Sequence, residues 1–205
     1  MMSSKSTESK APSRKTGPLR RLSGFFYAKS TLVKALLATA VFAGYTVLIL
    51  SGQGKAFEVA NSSVKSLGTS LGFGQAEVLA FLSERSVEQI SAYITFNQVW
   101  DSLFGVIYGV MYAAWVSLLF KPYSLKVGLL NLLPFGQVLF DWLENFSLAS
   151  LSNQYLADGA IASSTALVAS TASSIKWVFA LLVYGVILVG IVARIVGALK
   201  RRNQR

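Results

Sequence analysis

The stretch Val127–Ser150, VGLLNLLPFGQVLFDWLENFSLAS, decides how this chain is read. It is apolar and long enough to cross a bilayer, which takes about 20 residues. Its second half nevertheless carries Gln137, Asp141, Glu144 and Asn145. At 3.6 residues per turn those four share one helical face. An ionisable side chain inside a membrane span is costly to keep, so it marks a functional site by default. Here two acids stand about one turn apart.

Working outward, the whole chain fits that reading. Its 205 residues allow one domain, with 53% hydrophobic and 14% charged residues, and the apolar residues fall in long blocks. The formal charge of +10 sits mostly in the two ends, beside apolar runs. Placed there, it reads as a topology signal and as attraction to anionic headgroups, not as a nucleic-acid surface. With no Cys and no His in the sequence, thiol redox centres, imidazole-based haem and zinc sites, and Ser-His or Cys-His nucleophile pairs are excluded. No metal or cofactor is expected. Carboxylates, Lys, Tyr, Asn, Gln and Ser remain for chemistry.

Residues 1–24 are expected to form a disordered basic tail. Arg20-Arg21 lacks the flanking residues of a twin-arginine signal, and the run that follows has no clean small-residue cleavage site. Four spans are expected within a 25–198 membrane domain, at about 31–50, 97–120, 127–150 and 175–196, followed by a basic tail at 199–205. In the first, Lys34 can snorkel, while Ala35, Thr39 and Ala43 offer small residues for close helix packing. Between spans one and two, Gln75–Ile94 reads as a single amphipathic helix at the interface or capping the bundle, its apolar face Leu79, Leu82, Ile90 and Ile94. The second span sets Gln98, Asp101, Gly105, Tyr108, Gly109 and Tyr112 on one face, Gly105 and Gly109 forming a G-x-x-x-G. Pro134 is expected to kink the third span. Asp158-Gly159 marks a turn, and Ser163–Ser174 is expected to lead helically into the fourth span, capped by Ser163 or Ser164.

Positive charge concentrates in both ends and in the Lys121–Lys126 turn. That pattern puts both termini in the cytoplasm, in a membrane of the bacterial inner (plasma) type. Counting 1.5 Å per residue, Asp101 lies about 30 Å from Lys121, Asp141 and Glu144 about 22 and 27 Å from Lys126, and Lys176 about 27 Å from Arg194. Three helices thus bring polar residues to one level in the outer leaflet. Lys176 is the expected partner of Asp141 or Glu144, and Asn145, Gln98, Gln137, Tyr108 and Tyr184 can supply hydrogen bonds. Three acids against one lysine leave a carboxylate that could carry and exchange a proton.

The D-x-x-E-N of the third span (Asp141, Glu144, Asn145), Asp101 and Tyr108 in the second, and Lys176-Trp177 opening the fourth resemble a group of small, uncharacterised four-span integral membrane proteins. The resemblance covers about residues 95–195 and implies that the polar layer is that group's shared feature. Lipoprotein signal peptidases are also small four-span proteins with a catalytic Asp pair, which Asp101 and Asp141 could imitate. The Asn- and Ala-rich motifs around those aspartates are missing here, as are the residues of a DG-x2-AR phosphotransferase.

The sequence therefore predicts an all-α integral membrane four-helix bundle with an amphipathic helix in its first outer loop. Its layer is Asp101, Tyr108, Gln137, Asp141, Glu144, Asn145 and Lys176. The expected role is an accessory or ligand-binding membrane protein, with partners among lipid headgroups, a lipid or small polar ligand, and a second copy or a membrane complex. A carboxylate-based intramembrane hydrolase and a proton-linked carrier are the alternatives. A layer that merely fixes helix register is the structural reading.

Overall fold

The computed structural model describes residues 17–204. Residues 1–16 and Arg205 lie outside the described residues, and with them most of the expected basic tail. Six helices and no strand occur among the described residues: α1 Pro18–Lys29, α2 Leu32–Lys55, α3 Gln75–Ser83, α4 Val87–Tyr123, α5 Leu133–Asp158 and α6 Ser163–Arg202. Three of them, α2, α4 and α6, are long and apolar enough to cross a membrane, with mean hydropathies of 2.0, 1.9 and 2.5. The apolar side chains of α2 and α6 are largely uncovered by protein, with only 6% and 17% of their most apolar stretches buried, whereas 50% of that of α4 is buried. Helices that are apolar all round and uncovered are built for lipid.

Several boundaries differ from those the sequence predicts. Residues 18–24 are helical, not tail, because Pro18 sits in the first turn, where its missing N–H costs nothing. Tyr27 and Ser23 of α1 are buried against the bundle, while Leu19, Leu22 and Phe25 are exposed. The single amphipathic helix expected over Gln75–Ile94 is two helices, broken at Glu84–Ser86. Ser86 caps a new helix, its side chain accepting from the Gln89 amide at 3.3 Å while the Gln89 side chain accepts from the Ser86 amide at 3.0 Å. The second half therefore belongs to α4, which runs on without a break through the second expected span.

The third helix begins at Leu133, not Val127. Gly128 takes φ +54°, a left-handed conformation suited to glycine, and a short 3₁₀ turn follows at Leu130–Leu132. Pro134 falls in the first turn of α5 and starts the helix instead of kinking it. The helix then continues past Ser150 to Asp158 and closes on Gly159 at φ +66°. Helix α6 starts at Ser163 as the helical lead requires, with Ala162 as its N-cap and no serine cap. The same helix reaches Arg202, so the basic residues Lys200, Arg201 and Arg202 are helical.

Two clusters hold the ends of the bundle. At one end, Val78, Phe81 and Leu82 of α3 pack with Ile90, Tyr93, Leu148, Leu151 and Ala169. At the other, Tyr27, Val116, Leu119 and Phe120 pack with Val127, Leu130, Val186 and Ile187. Here Asn131 is fully buried and donates to Ser23 O (3.0 Å) and Ser117 Oγ (2.9 Å), while Ser23 Oγ donates to its side-chain oxygen (2.7 Å). Arg194 of α6 donates to the carbonyls of Leu119 (3.0 Å) and Leu118 (2.7 Å). Those carbonyls belong to the last α-helical turn of α4, where Pro122 has no N–H to offer Leu118 and helix-end carbonyls need other donors.

Between the ends, α4 packs on α2, α5 and α6, and α5 packs along α6. Close approach falls at the glycines. A side chain at Gly109 would stand 2.6 Å from Val138, and one at Gly105 would stand 3.1 Å from Asp141 Oδ2. The G-x-x-x-G thus serves the contact with α5.

Candidate functional site

Between Gln137 and Ser147, helix α5 turns most of its polar side chains inward and large apolar ones outward. Gln137, Asp141, Glu144, Asn145 and Ser147 are buried, whereas Leu139, Leu143 and Phe146 are exposed, Leu139 by 62%. In water this arrangement would be inverted. Periodicity puts the two acids on the inner face, and the bundle supplies their partner. Lys176 of α6, with its side chain 9% exposed, reaches Asp141 Oδ1 at 3.3 Å, pairs with Glu144 Oε2, and donates to the Gly68 carbonyl at 3.0 Å. The ammonium thus sits between two carboxylates and a backbone carbonyl.

A cavity of about 360 Å³ lies beside this pair. Asp101, Tyr108, Gln137, Asp141 and Lys176 line it, and Asn145 sits next to Asp101. Glu144 is fully buried behind Lys176. All seven residues of the expected layer therefore converge, from α4, α5 and α6. Gln98 does not join them. Its side chain is exposed, and Asn97 is buried on the cavity wall in its place, donating to Tyr93 O at 2.7 Å.

The reason is a π-helical turn over Phe96–Asp101. A π-turn holds more residues than an α-turn, so it shifts the inward face by about one position. The carbonyls loosened around it find side-chain donors. Ser102 Oγ bonds Asn97 O at 2.8 Å, Tyr45 OH bonds Trp100 O at 2.9 Å, and Trp142 Nε1 bonds Ser102 O at 2.8 Å. Helix α2 has a second π-turn, at Thr46–Leu50, and contributes Phe42 and Leu50 to the cavity.

The roof of the cavity is the segment around Ser66, Gly68 and Thr69, which is irregular apart from one 3₁₀ turn. It is fastened to α6 through its backbone. Ser173 Oγ donates to Ser70 O (2.7 Å), Trp177 Nε1 to the same carbonyl (3.1 Å), and Ser174 Oγ to Leu71 O (2.6 Å). Ser170 Oγ accepts from the Phe73 amide at 3.0 Å. These serines escape sequence reading because a Ser/Ala-rich run has no charge pattern. Their spacing down one helical face ahead of Lys176-Trp177 is the signal they leave.

Several buried polar atoms have no hydrogen-bond partner: Asp141 Oδ2, Gln137 Oε1, the hydroxyls of Tyr108 and Tyr93, Glu144 Oε1 and Asn145 Nδ2. Most are acceptors or hydroxyls, and Asp141, Gln137, Tyr108 and Tyr93 reach the cavity wall. Buried groups of this kind call for a partner, because leaving one unpaired costs about 1–3 kcal/mol. No group of three or more metal-ligating side chains occurs among the described residues. Compared with protein-family models, with curated proteins and with solved structures, the chain finds no match.

Proposed function

We propose that the chain is a four-span membrane protein, non-enzymatic, whose Asp/Glu/Lys layer ties the bundle together and holds a small polar ligand in the cavity beside it. The observation that carries the binding role is the convergence of Asp101, Tyr108, Gln137, Asp141 and Lys176 on a cavity of about 360 Å³, with buried oxygens of Asp141, Gln137 and Tyr108 left unpaired in the same layer. That volume is within the range of small-molecule sites, about 300–1,000 Å³. A layer that only fixed helix register would be expected to pair its own buried atoms.

Support for α5 as a further span, the third in chain order, comes from its reversed polarity, with Leu139, Leu143 and Phe146 exposed and both acids buried. In α4 the distance from Asp101 to Phe120 is about 29 Å, and in α6 that from Lys176 to Arg194 is about 27 Å. Each matches a hydrocarbon core of about 30 Å. Basic residues crowd the opposite end, among them Arg20, Lys121, Lys126 and Lys200. By the positive-inside rule this end faces the cytoplasm, with the cavity toward the outer leaflet.

Two measurements test the reading. Because the sequence has no Cys, single cysteines at Ser62 and Lys126 can be labelled with an impermeant thiol reagent in right-side-out vesicles. Labelling at Ser62 alone is expected, and equal labelling at both positions refutes the topology. Thermal unfolding of the full chain in maltoside detergent, across neutral, anionic and cationic small molecules, tests the cavity. A saturable stabilisation lost on filling the cavity by Thr69→Trp is expected, and no stabilisation by any compound refutes the binding role.

A carboxylate hydrolase is the second reading, favoured by Asp101 and Asp141 meeting at one cavity from two helices. An aspartate pair that activates water keeps its carboxylates free for the water and the shared proton. Lys176 occupies one oxygen of Asp141, so binding is preferred.

A further inference from the structure

The chemistry of the cavity wall narrows what it could hold. Lys176 is the one cation lining it among the described residues, and its charge is already paired with Asp141 and Glu144 while it donates to Gly68 O. Asp101 has no ion-pair partner among the described residues. Three carboxylates against one ammonium leave an excess of two negative charges when all are ionised. The buried atoms of these lining residues that lack a partner are acceptors or hydroxyls: Asp141 Oδ2, Gln137 Oε1 and the tyrosine hydroxyls. An anionic ligand would meet two aspartates and no unpaired positive charge. A ligand that brings its own positive charge meets none of these costs.

The rest of the wall makes the same choice. Half of the lining residues are aromatic. They form a run of ring contacts: Phe42 against Phe104 at 5.2 Å, Phe104 against Tyr108 at 5.4 Å, and Tyr112 against Tyr184 at 5.7 Å. Lys176 Nζ already lies 5.7 Å from the Trp177 ring, so an ammonium beside an aromatic face is part of the native arrangement. Ring faces carry partial negative charge and attract alkylammonium groups, whose weak hydration makes them easier to strip of water than a metal ion. Carboxylates at one side of a cavity and aromatic rings around the remainder are complementary to an organic cation.

We propose that this cavity binds a small organic cation, an alkylammonium or quaternary ammonium group seated by Asp101 and Asp141 under the aromatic walls. The proposal rests on the binding role argued above and names the ligand class for the same site. The shared chemistry is the ammonium group, carried either by a free amine or by a lipid headgroup.

The test uses the full chain in maltoside detergent, with tetramethylammonium and choline chloride as probes, titrated by calorimetry and by Trp fluorescence. Glycerophosphocholine carries the headgroup arm, and sodium acetate, glycerol and potassium chloride are the controls. Saturable binding of tetramethylammonium and choline is expected, weakened at least tenfold by Asp101→Asn. Tyr184→Leu, at the exposed rim, removes one ring without touching the charge layer and is expected to weaken binding about two- to thirtyfold. That variant keeps the test open if Asp101→Asn fails to fold. Tighter binding of glycerophosphocholine than of choline assigns a lipid headgroup, and the reverse assigns a free amine; either supports the ammonium site. Saturable binding of acetate or glycerol without the cations overturns the ligand class and leaves the binding role standing. Cation binding that neither variant changes overturns the site. Binding of no compound overturns both.

Discussion

Replacing Lys176 by Met removes the sole ammonium from between Asp141 and Glu144 while keeping the length and most of the volume of the side chain. In the native layer Nζ lies 3.3 Å from Asp141 Oδ1, pairs with Glu144 and holds the Gly68 carbonyl. Glu144 has no solvent exposure and the Asp141 side chain only 6%, so neither can turn to water when the cation goes. Breaking a buried pair from one side costs about 3–5 kcal/mol, because an uncompensated charge is left behind. For a chain of about this size, each kcal/mol moves the unfolding midpoint by about 2–4 °C, so a fall of roughly 6–20 °C is expected.

The assay is thermal unfolding of wild type and variants side by side in one detergent, followed by circular dichroism. Two further variants separate charge from packing. Asp141→Asn with Glu144→Gln, added to Lys176→Met, removes the stranded negative charge and should recover at least half of the lost midpoint. Acidification should narrow the deficit of Lys176→Met, since a protonated carboxyl carries no charge to compensate. A midpoint for Lys176→Met within about 2 °C of wild type would refute the reasoning. So would a triple variant as unstable as the single one.

Asn131→Ala removes three buried hydrogen bonds at the other end of the bundle, leaving Ser117 Oγ without its donor and Ser23 Oγ with Gly128 O alone. A loss of about 2–4 kcal/mol in thermal unfolding is expected, and less than about 0.5 would show that this triad is dispensable. Gly109→Leu forces a side chain into Val138, 2.6 Å from where its Cβ would stand. Overpacking should cost at least about 1–3 kcal/mol and reduce folded yield by size-exclusion chromatography, an unchanged profile being the contrary outcome. Ser173→Ala with Ser174→Ala releases the carbonyl of Leu71 and leaves that of Ser70 to Trp177 alone. Limited proteolysis should then cut the 60–74 segment several-fold faster, with cleavage at the wild-type rate counting against its role as a fastened roof. Ser86→Ala removes the cap that starts α4. About 1 kcal/mol of faster amide exchange at Gln89 and Ile90 is expected, and unchanged exchange would show that the capping box contributes nothing.

Much of this architecture can be read from local pattern alone. A run of twenty apolar residues has one low-energy destination, so α2, α4 and α6 are legible from length and hydropathy. The inward set Asp141, Glu144 and Asn145 is legible because a helix repeats its face every three to four residues, whichever neighbour it meets. Their convergence with Lys176 and Asp101 follows from counting rise per residue, even though α5 starts six residues later than expected. That delay is absorbed by the turn at Gly128 and the 3₁₀ turn after it, which no hydropathy count registers.

Other features depend on contacts between segments far apart in the chain. The break at Glu84–Ser86 is hidden because Leu82 and Ile90 keep a helical spacing across it; only Ser86 and Gln89 capping each other separate the two helices. The exchange of Gln98 for Asn97 required a π-turn whose loosened carbonyls are held by Tyr45 and Trp142, residues 55 and 40 positions from the carbonyls they bind. The roof over the cavity exists because Ser170, Ser173, Ser174 and Trp177 grip the backbone of an otherwise irregular segment about a hundred residues earlier. By itself, then, the sequence determined which stretches enter the membrane and which faces carry charge, since hydropathy and helical period act over neighbouring residues. Only the tertiary structure decided that those charges pair on one side and leave an aromatic-walled cavity on the other, because pairing and empty space depend on how separate helices meet.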